Sequence, residues 1–251
     1  MIIQFASDLH LEFPENKKFL LKNPLKPIGD ILLLSGDIVP FAVMDQNKDF
    51  FNYVSDHFNE SYWIPGNHEY YYFDLANKCG SLHERIRDNV YLVNNKVIKV
   101  EDIAFIFTTL WSKISPTNSL QIAKHLSDFM VIKYKGRLLN PEKYNHLHEE
   151  SVKFIEQSLR LDNKKRIVVS HHVPTFYNYP EKYKGDILNE AFAVELFNLI
   201  SKSGPDYWIY GHTHFNSNDF RIGKTLLTTN QLGYVRYGEH ESFSSNRSIC
   251  L

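Results

Sequence analysis

The chain has little cysteine and no arrangement of it that carries structure. Its 251 residues include two, Cys79 and Cys250, with no Cys-x-x-Cys pair and too few for a disulfide framework. A structural zinc site, which usually recruits thiolates, is disfavoured, and a reducing compartment is the default expectation. An excess of charge of one sign is missing too. There are 28 Lys and Arg against 29 Asp and Glu, a net charge of −1. Such a balance gives no broad surface for nucleic-acid phosphates. The longest basic cluster, Lys164-Lys165-Arg166, reads as a solvated turn before a strand. No apolar run approaches the ~20 residues that span a bilayer. The apolar start from Met1 to Ala6 is too short for a signal peptide. Neither an internal repeat nor a low-complexity linker interrupts the chain. The expectation is a soluble cytoplasmic protein, one domain over residues 1–251, with no membrane partner.

What is present is an alternation of short apolar runs and amphipathic stretches. Ile2 to Ala6, Ile31 to Leu34 and Tyr62 to Ile64 read as buried strands. Helices are expected over Asp45 to Phe58 and over Phe73 to Asp88, the latter containing Cys79. Val97 to Val100 and Ile103 to Phe107 predict a hairpin around Glu101-Asp102. Leu110 to Asn140 is expected to hold loops and one helix. Pro141 to Leu161 is a strong helix prediction: Asn140 suits the cap and Pro141 the first turn. Arg166 to Ser170 and Tyr207 to Tyr210 are further strands, with a helix expected over Asn189 to Ser201. Phe220 to Ile222 and Thr225 to Thr229 predict a second hairpin. The rhythm implies an α/β fold with substantial parallel pairing.

The chemistry lies where these strands stop. Five of them run directly into Asp, Asn or His: Asp8-Leu9-His10, Asp37, Asn67-His68-Glu69, His171-His172 and His212-Thr213-His214. In open α/β sheets ligands gather beyond the carboxyl ends of strands, so five segments converge on one expected site. Imidazole and carboxylate donors without thiolate suit manganese, iron, zinc or nickel. Asp-x-His and His-x-His place alternate residues of an extended segment on one side. Asp37 is able to bridge two ions roughly 3.5 Å apart, the usual separation in two-metal hydrolytic sites.

The ordered blocks Asp8-x-His10, Gly36-Asp37, Gly66-Asn67-His68-Glu69, His171 and Gly211-His212-x-His214 resemble the calcineurin-like metallophosphoesterase superfamily. The resemblance implies two packed mixed sheets flanked by helices, a four-layer α-β-β-α sandwich with a dinuclear metal site at the strand ends. It implies Asp8, His10 and His214 on one ion, Asn67, His171 and His212 on the other, and Asp37 between them. Either histidine of the His171-His172 pair suits the ligand role; His171 is the first choice. His68 is implied as a catalytic residue beside the phosphate, stabilising charge or protonating the leaving oxygen, while a hydroxide held by the ions attacks phosphorus.

Gly36-Asp37 continues into Ile38-Val39-Pro40 rather than Asp-Arg-Gly, which departs from the protein phosphatase branch of that superfamily. The chain more closely resembles its small phosphodiesterase and phosphohydrolase members. The expected function is metal-dependent hydrolysis, as phosphodiesterase or phosphomonoesterase, of a small phosphorylated metabolite or nucleotide. A metal-dependent nuclease is the alternative, followed by a non-catalytic interaction scaffold. Among Tyr70, Tyr71, Tyr72 and Phe73, one or two are expected at the pocket. Asn230 to Tyr234 is a further candidate rim.

Overall fold

The computed structural model describes residues 1–251. Runs of Ile, Val, Leu and aromatic residues form its strands, because such side chains suit a pleated, buried surface. In chain order these are β1 (Ile2–Ala6), β2 (Ile31–Ser35), β3 (Glu60–Ile64), β4 (Leu82–Arg87), β5 (Val90–Asn94), β6 (Lys96–Val100), β7 (Ile103–Thr108), β8 (Lys133–Tyr134), β9 (Arg137–Leu138), β10 (Lys165–Ser170), β11 (Tyr207–Tyr210), β12 (Phe220–Ile222), β13 (Thr225–Thr229) and β14 (Ser248–Cys250). The helices are α1 (Pro14–Lys22), α2 (Lys48–His57), α3 (Ser119–His125), α4 (Asp128–Val131), α5 (Pro141–Ser158) and α6 (Phe197–Ser203). None is long and apolar enough to cross a membrane.

Two six-stranded mixed sheets result, ordered β14-β1-β2-β3-β5-β4 and β12-β13-β11-β10-β7-β6. Each has a parallel centre and an antiparallel strand at both edges. The parallel strands are covered on both faces, which is why they read as continuous apolar runs rather than alternating ones. Ile3, Phe5, Leu33 and Ile64 of the first sheet meet Phe105, Phe107, Val169 and Ile209 of the second in a shared core. Leu33 is wholly buried there; truncating such a side chain to Ala costs about 2–5 kcal/mol. The outer face of the first sheet packs on Leu20 of α1 and on Phe51 and Val54 of α2. The outer face of the second packs on Ile155 of α5 and Ile200 of α6. This is the expected layering of two sheets between helices.

The two hairpins, β6–β7 and β12–β13, form as expected. In α5, Asn140 Oδ1 accepts the Lys143 amide at 2.8 Å and Pro141 occupies the first turn. Three expectations are corrected. Phe73 to Asp88 is not a helix; a short 3-10 turn at Leu75–Asn77 precedes β4, and Cys79 lies in the loop between them. Pairing of β4 with β5 at the sheet edge outweighs the local helical preference of Leu82–Arg87. Asn189 to Ser201 is likewise broken, with a 3-10 turn at Ile187–Ala191 and α6 starting only at Phe197. Ala193 bridges to Val173, and the Val194 amide bonds the Val173 carbonyl at 3.0 Å, drawing this stretch out of helical form. Finally, residues 110–140 hold two helices, α3 and α4, and the small β8–β9 hairpin rather than one helix. Ile122, Phe129, Ile132 and Leu139 anchor this segment on Tyr70, Trp111 and Tyr144.

Candidate metal centre

The parallel strands of both sheets deliver their final loops to one place. The Asp8 amide donates to the Gly36 carbonyl at 2.9 Å and the His10 amide to that of Asp37 at 3.0 Å, tying the loops after β1 and β2. The His212 amide donates to the Asp8 carboxylate at 3.1 Å, tying the two sheets. Backbones approach this closely because glycines face the acids. A Cβ on Gly66 would collide with Asp37 and with the His171 ring, and one on Gly211 would lie 2.6 Å from Asp8 Oδ2.

Five of the expected site residues are held in the left-handed region: Asp8 at φ 55°, His10 at 48°, Asp37 at 54°, His212 at 83° and His214 at 51°. That conformation costs a non-glycine residue about 1–3 kcal/mol, and residues persist in it only where their surroundings fix them.

Ligand-capable atoms of Asp8, His10, Asp37 and His214 lie within 4.8 Å of one another, as do those of Asp37, His171 and His212. Asp37 is common to both groups. Asn67 Oδ1 is 3.2 Å from His171 Nε2 and so faces the second group. Every residue named from the sequence is therefore brought together. His172 is beside the cluster but engaged elsewhere, with Nδ1 at 3.3 Å from the Thr109 carbonyl and Nε2 at 3.2 Å from the Tyr144 hydroxyl.

The donor set fits cations. His10 Nδ1 is 3.0 Å from Glu12 Oε1 and His214 Nδ1 is 2.8 Å from Glu239 Oε2. Protons on those Nδ1 atoms leave the two Nε2 lone pairs facing each other at 2.9 Å. Only a shared proton or a cation relieves that opposition. A carboxylate or carbonyl behind each imidazole is also what metal-ligating histidines use, and His171 Nδ1 has such a partner in the Ser35 carbonyl at 2.9 Å.

The electrostatics agree. Burial disfavours the charged forms throughout, yet His171, His68 and His10 hold the Asp37 carboxyl well below its ordinary range. Against the same burial, Asp37 and Asp8 lift His171 to about 9. Asp8 and Glu239 lift His214 to about 10. Burial and neighbouring histidines press His212 and His172 well below ordinary imidazole.

His68 occupies the first 3-10 turn after β3. Its amide donates to Asp37 Oδ1 at 2.9 Å and its Nδ1 is 3.1 Å from Glu12 Oε1, leaving Nε2 toward the Tyr234 hydroxyl at 3.4 Å. Tyr71 stacks on the ring at 3.9 Å. Burial opposes its protonation, but Asp37 and Glu12 outweigh burial and raise its pKa.

Several supporting residues were not foreseen. Glu12 joins His10 to His68; its place two residues beyond His10, continuing the Asp-x-His alternation, was the available signal. Glu69 is fully buried and accepts the amides of Asp37, Ile38 and Gly66 at 2.6–2.9 Å and the Trp63 indole at 3.0 Å. Burial and Asp37 push its carboxyl up to about 8, against the pull of those donors. Asp128 and Glu239 come from distant segments that carry no motif. Of the four consecutive aromatics, Tyr70 is core and Tyr71 lines the pocket, as expected. In the 230–234 stretch, Tyr234 lines the pocket and Gln231 Oε1 holds the His214 amide at 2.6 Å.

A model of the family described as calcineurin-like phosphoesterase matches residues 1–216. An uncharacterised protein of Acanthamoeba polyphaga mimivirus is 34% identical over 260 residues, covering 93% of this chain and 91% of that protein. The crystal structure of phosphopantetheinyl hydrolase from Mycobacterium tuberculosis superposes with a TM-score of 0.73 at 16% identity, covering 98% of this chain and 95% of that one. At that identity the likeness is one of fold.

Proposed function

The chain belongs to the calcineurin-like phosphoesterase family, and from that premise we propose that it is a dinuclear metal hydrolase of small phosphate esters. Metal-dependent phosphoester hydrolysis is the family's chemistry; the two-ion centre and the kind of substrate are our reading. The observation that carries it is the position of Asp37 in both groups of ligand-capable atoms.

Asp8, His10 and His214 would hold one ion and Asn67, His171 and His212 the other, with Asp37 shared between them. His171 rather than His172 takes the ligand role, since His171 Nε2 faces Asn67 and Asp37 within the cluster, whereas the partners of His172 are the Thr109 carbonyl and the Tyr144 hydroxyl outside it. Nitrogen and oxygen donors without thiolate suit manganese, iron, zinc or nickel. Bound there, two such ions supply Lewis acidity toward phosphoryl oxygens and lower the pKa of a water toward ~7. The protein's own part is orientation and proton transfer. Glu12 accepts from His68 Nδ1, so Nε2 is the atom turned to the pocket. Asp37 and Glu12 raise the pKa of His68 against burial, which favours the protonated ring that neutralises charge on the phosphoryl group or protonates the leaving oxygen, an effect worth roughly 10²–10⁴-fold. Tyr71 and Tyr234 confine the ring from two sides. Two unpaired cysteines fit a cytoplasmic setting.

The test is turnover of a nitrophenyl phosphodiester and a nitrophenyl phosphomonoester by manganese-loaded protein, alongside Asp37→Ala. Turnover lost in the variant supports the proposal. No turnover of either ester, or equal turnover by the variant, overturns it.

A further inference from the structure

Resting on the hydrolase reading above, we infer that the substrate is a phosphodiester with one uncharged apolar or aromatic arm, and that Asp186 and Glu239 select against phosphomonoesters. The cavity over Asp37 has a volume of about 370 Å³, near the lower end for small-molecule sites. That is room for a phosphoryl group and one modest arm.

Its walls carry an unusual charge for a phosphate pocket. Proteins that hold a dianionic phosphate commonly clamp it with Arg or Lys. Neither lines this cavity; beside the imidazoles of His68, His125, His212 and His214, its ionisable groups beyond Asp37 include the carboxylates of Asp186 and Glu239. Glu239 is locked in place, Oε2 accepting His214 Nδ1 at 2.8 Å and the Tyr234 amide at 2.7 Å. Asp186 caps the 3-10 turn at Ile187–Ala191, its Oδ1 accepting the Leu188 amide at 2.9 Å. A phosphomonoester near neutral pH carries a charge of about −1.5 to −2, whereas a diester carries one. In a cavity that two carboxylates line, and whose wall screens less than open solvent, the second negative charge of a monoester is opposed more than the single charge of a diester. Replacing that oxygen by an ester arm removes the repulsion.

The same wall offers the arm a surface. Tyr179, Tyr183, Leu188 and Phe192 all line the cavity. The Tyr183 hydroxyl donates to the Thr213 carbonyl at 3.3 Å and that of Tyr179 to Asn189 at 3.2 Å. With their hydroxyls so engaged, the two tyrosines offer a ligand mainly ring surface. Phe192 stacks on His212 with centroids 4.5 Å apart, so this apolar face begins directly beside the metal-facing histidines.

The experiment keeps the leaving group constant. Manganese-loaded protein is given phenyl p-nitrophenyl phosphate, methyl p-nitrophenyl phosphate and p-nitrophenyl phosphate at pH 7.5. The expected result is kcat/KM at least tenfold higher for the phenyl diester than for the monoester. Tyr183→Ala raises KM more for the phenyl than for the methyl diester, and Asp186→Arg narrows the diester-to-monoester ratio. Binding gives a readout free of turnover: by calorimetry on manganese-loaded His68→Ala protein, the monomethyl ester of phenylphosphonic acid binds more tightly than the free dianion. Preference for the monoester, with the dianion bound as tightly as its ester, overturns this inference and leaves the hydrolase reading standing. Turnover of none of the three overturns both.

Discussion

Asp128 reaches from α4 into the floor of the site and accepts the side-chain amide of Asn67, Nδ2 to Oδ1, at 2.9 Å. The same oxygen accepts the Tyr71 hydroxyl at 3.0 Å. With its nitrogen so engaged, Asn67 turns its carbonyl oxygen toward His171. The segment over residues 110–140 therefore fixes both a ligand candidate and, through Tyr71, the stacking partner of His68. Asp128→Ala frees the amide to flip. The expected outcome is metal affinity at the Asn67, His171 and His212 side weakened about 10–100-fold, the usual cost of losing such a supporting partner. Calorimetric metal titration reads this directly, and unchanged affinity at both sites contradicts it.

His68 and Glu12 separate proton transfer from metal binding. His68→Ala is expected to lower kcat by roughly 10²–10⁴ with metal content unchanged. Glu12→Ala removes the shared acceptor of His10 Nδ1 and His68 Nδ1, so both kcat and metal retention fall. Steady-state kinetics paired with elemental analysis distinguishes the two variants; equal metal loss in both refutes the division of roles.

Glu69 acts on stability rather than chemistry. Its carboxyl oxygens accept four backbone amides, of Asp37, Ile38, Val39 and Gly66, and the Trp63 indole in a fully buried setting. Each buried donor left without an acceptor costs about 1–3 kcal/mol. Glu69→Ala is expected to lose at least ~3 kcal/mol of unfolding free energy in urea titrations. A loss under ~1 kcal/mol would show that water takes over the bonds.

With His171 and His214 as the proposed ligands, protons and metal compete at the same nitrogens. His171 and His214 have folded pKa values of about 9 and about 10, above the ordinary 6.5. Their protonation therefore stabilises the metal-free fold, an amount fully present below pH 6.5 and lost as pH climbs through about 9 and 10. Glu69, pushed up to about 8, adds in the same direction. Metal must displace these protons, so apparent metal affinity moves oppositely, rising roughly tenfold per displaced proton per pH unit. Thermal unfolding of metal-free protein from pH 6.5 to 10, with metal titrations across the same range, checks both signs.

The site was more legible in the sequence than the structure that supports it. Residues at the ends of parallel strands must converge, so Asp8, Asp37, Asn67, His171 and His212 could be grouped by position alone. Buried strands such as β2 announced themselves as unbroken apolar runs. β4 did not, because Leu82–Arg87 is an edge strand whose pairing partner, rather than its own pattern, decides its conformation. Asp128 and Glu239 lie 61 and 25 residues from the side chains they hold, and no local spacing encodes contacts made only after packing. Glu12 was within reach, two residues beyond His10, but its role depends on where β3 delivers His68.

Everything proposed for the site depends on Asp37 joining two ions. Crystals grown with manganese, measured by anomalous diffraction, test it most directly. Two anomalous peaks per chain are expected, roughly 3.5 Å apart, both beside Asp37, with the second next to Asn67, His171 and His212. A single peak, or two that do not both touch Asp37, would contradict it.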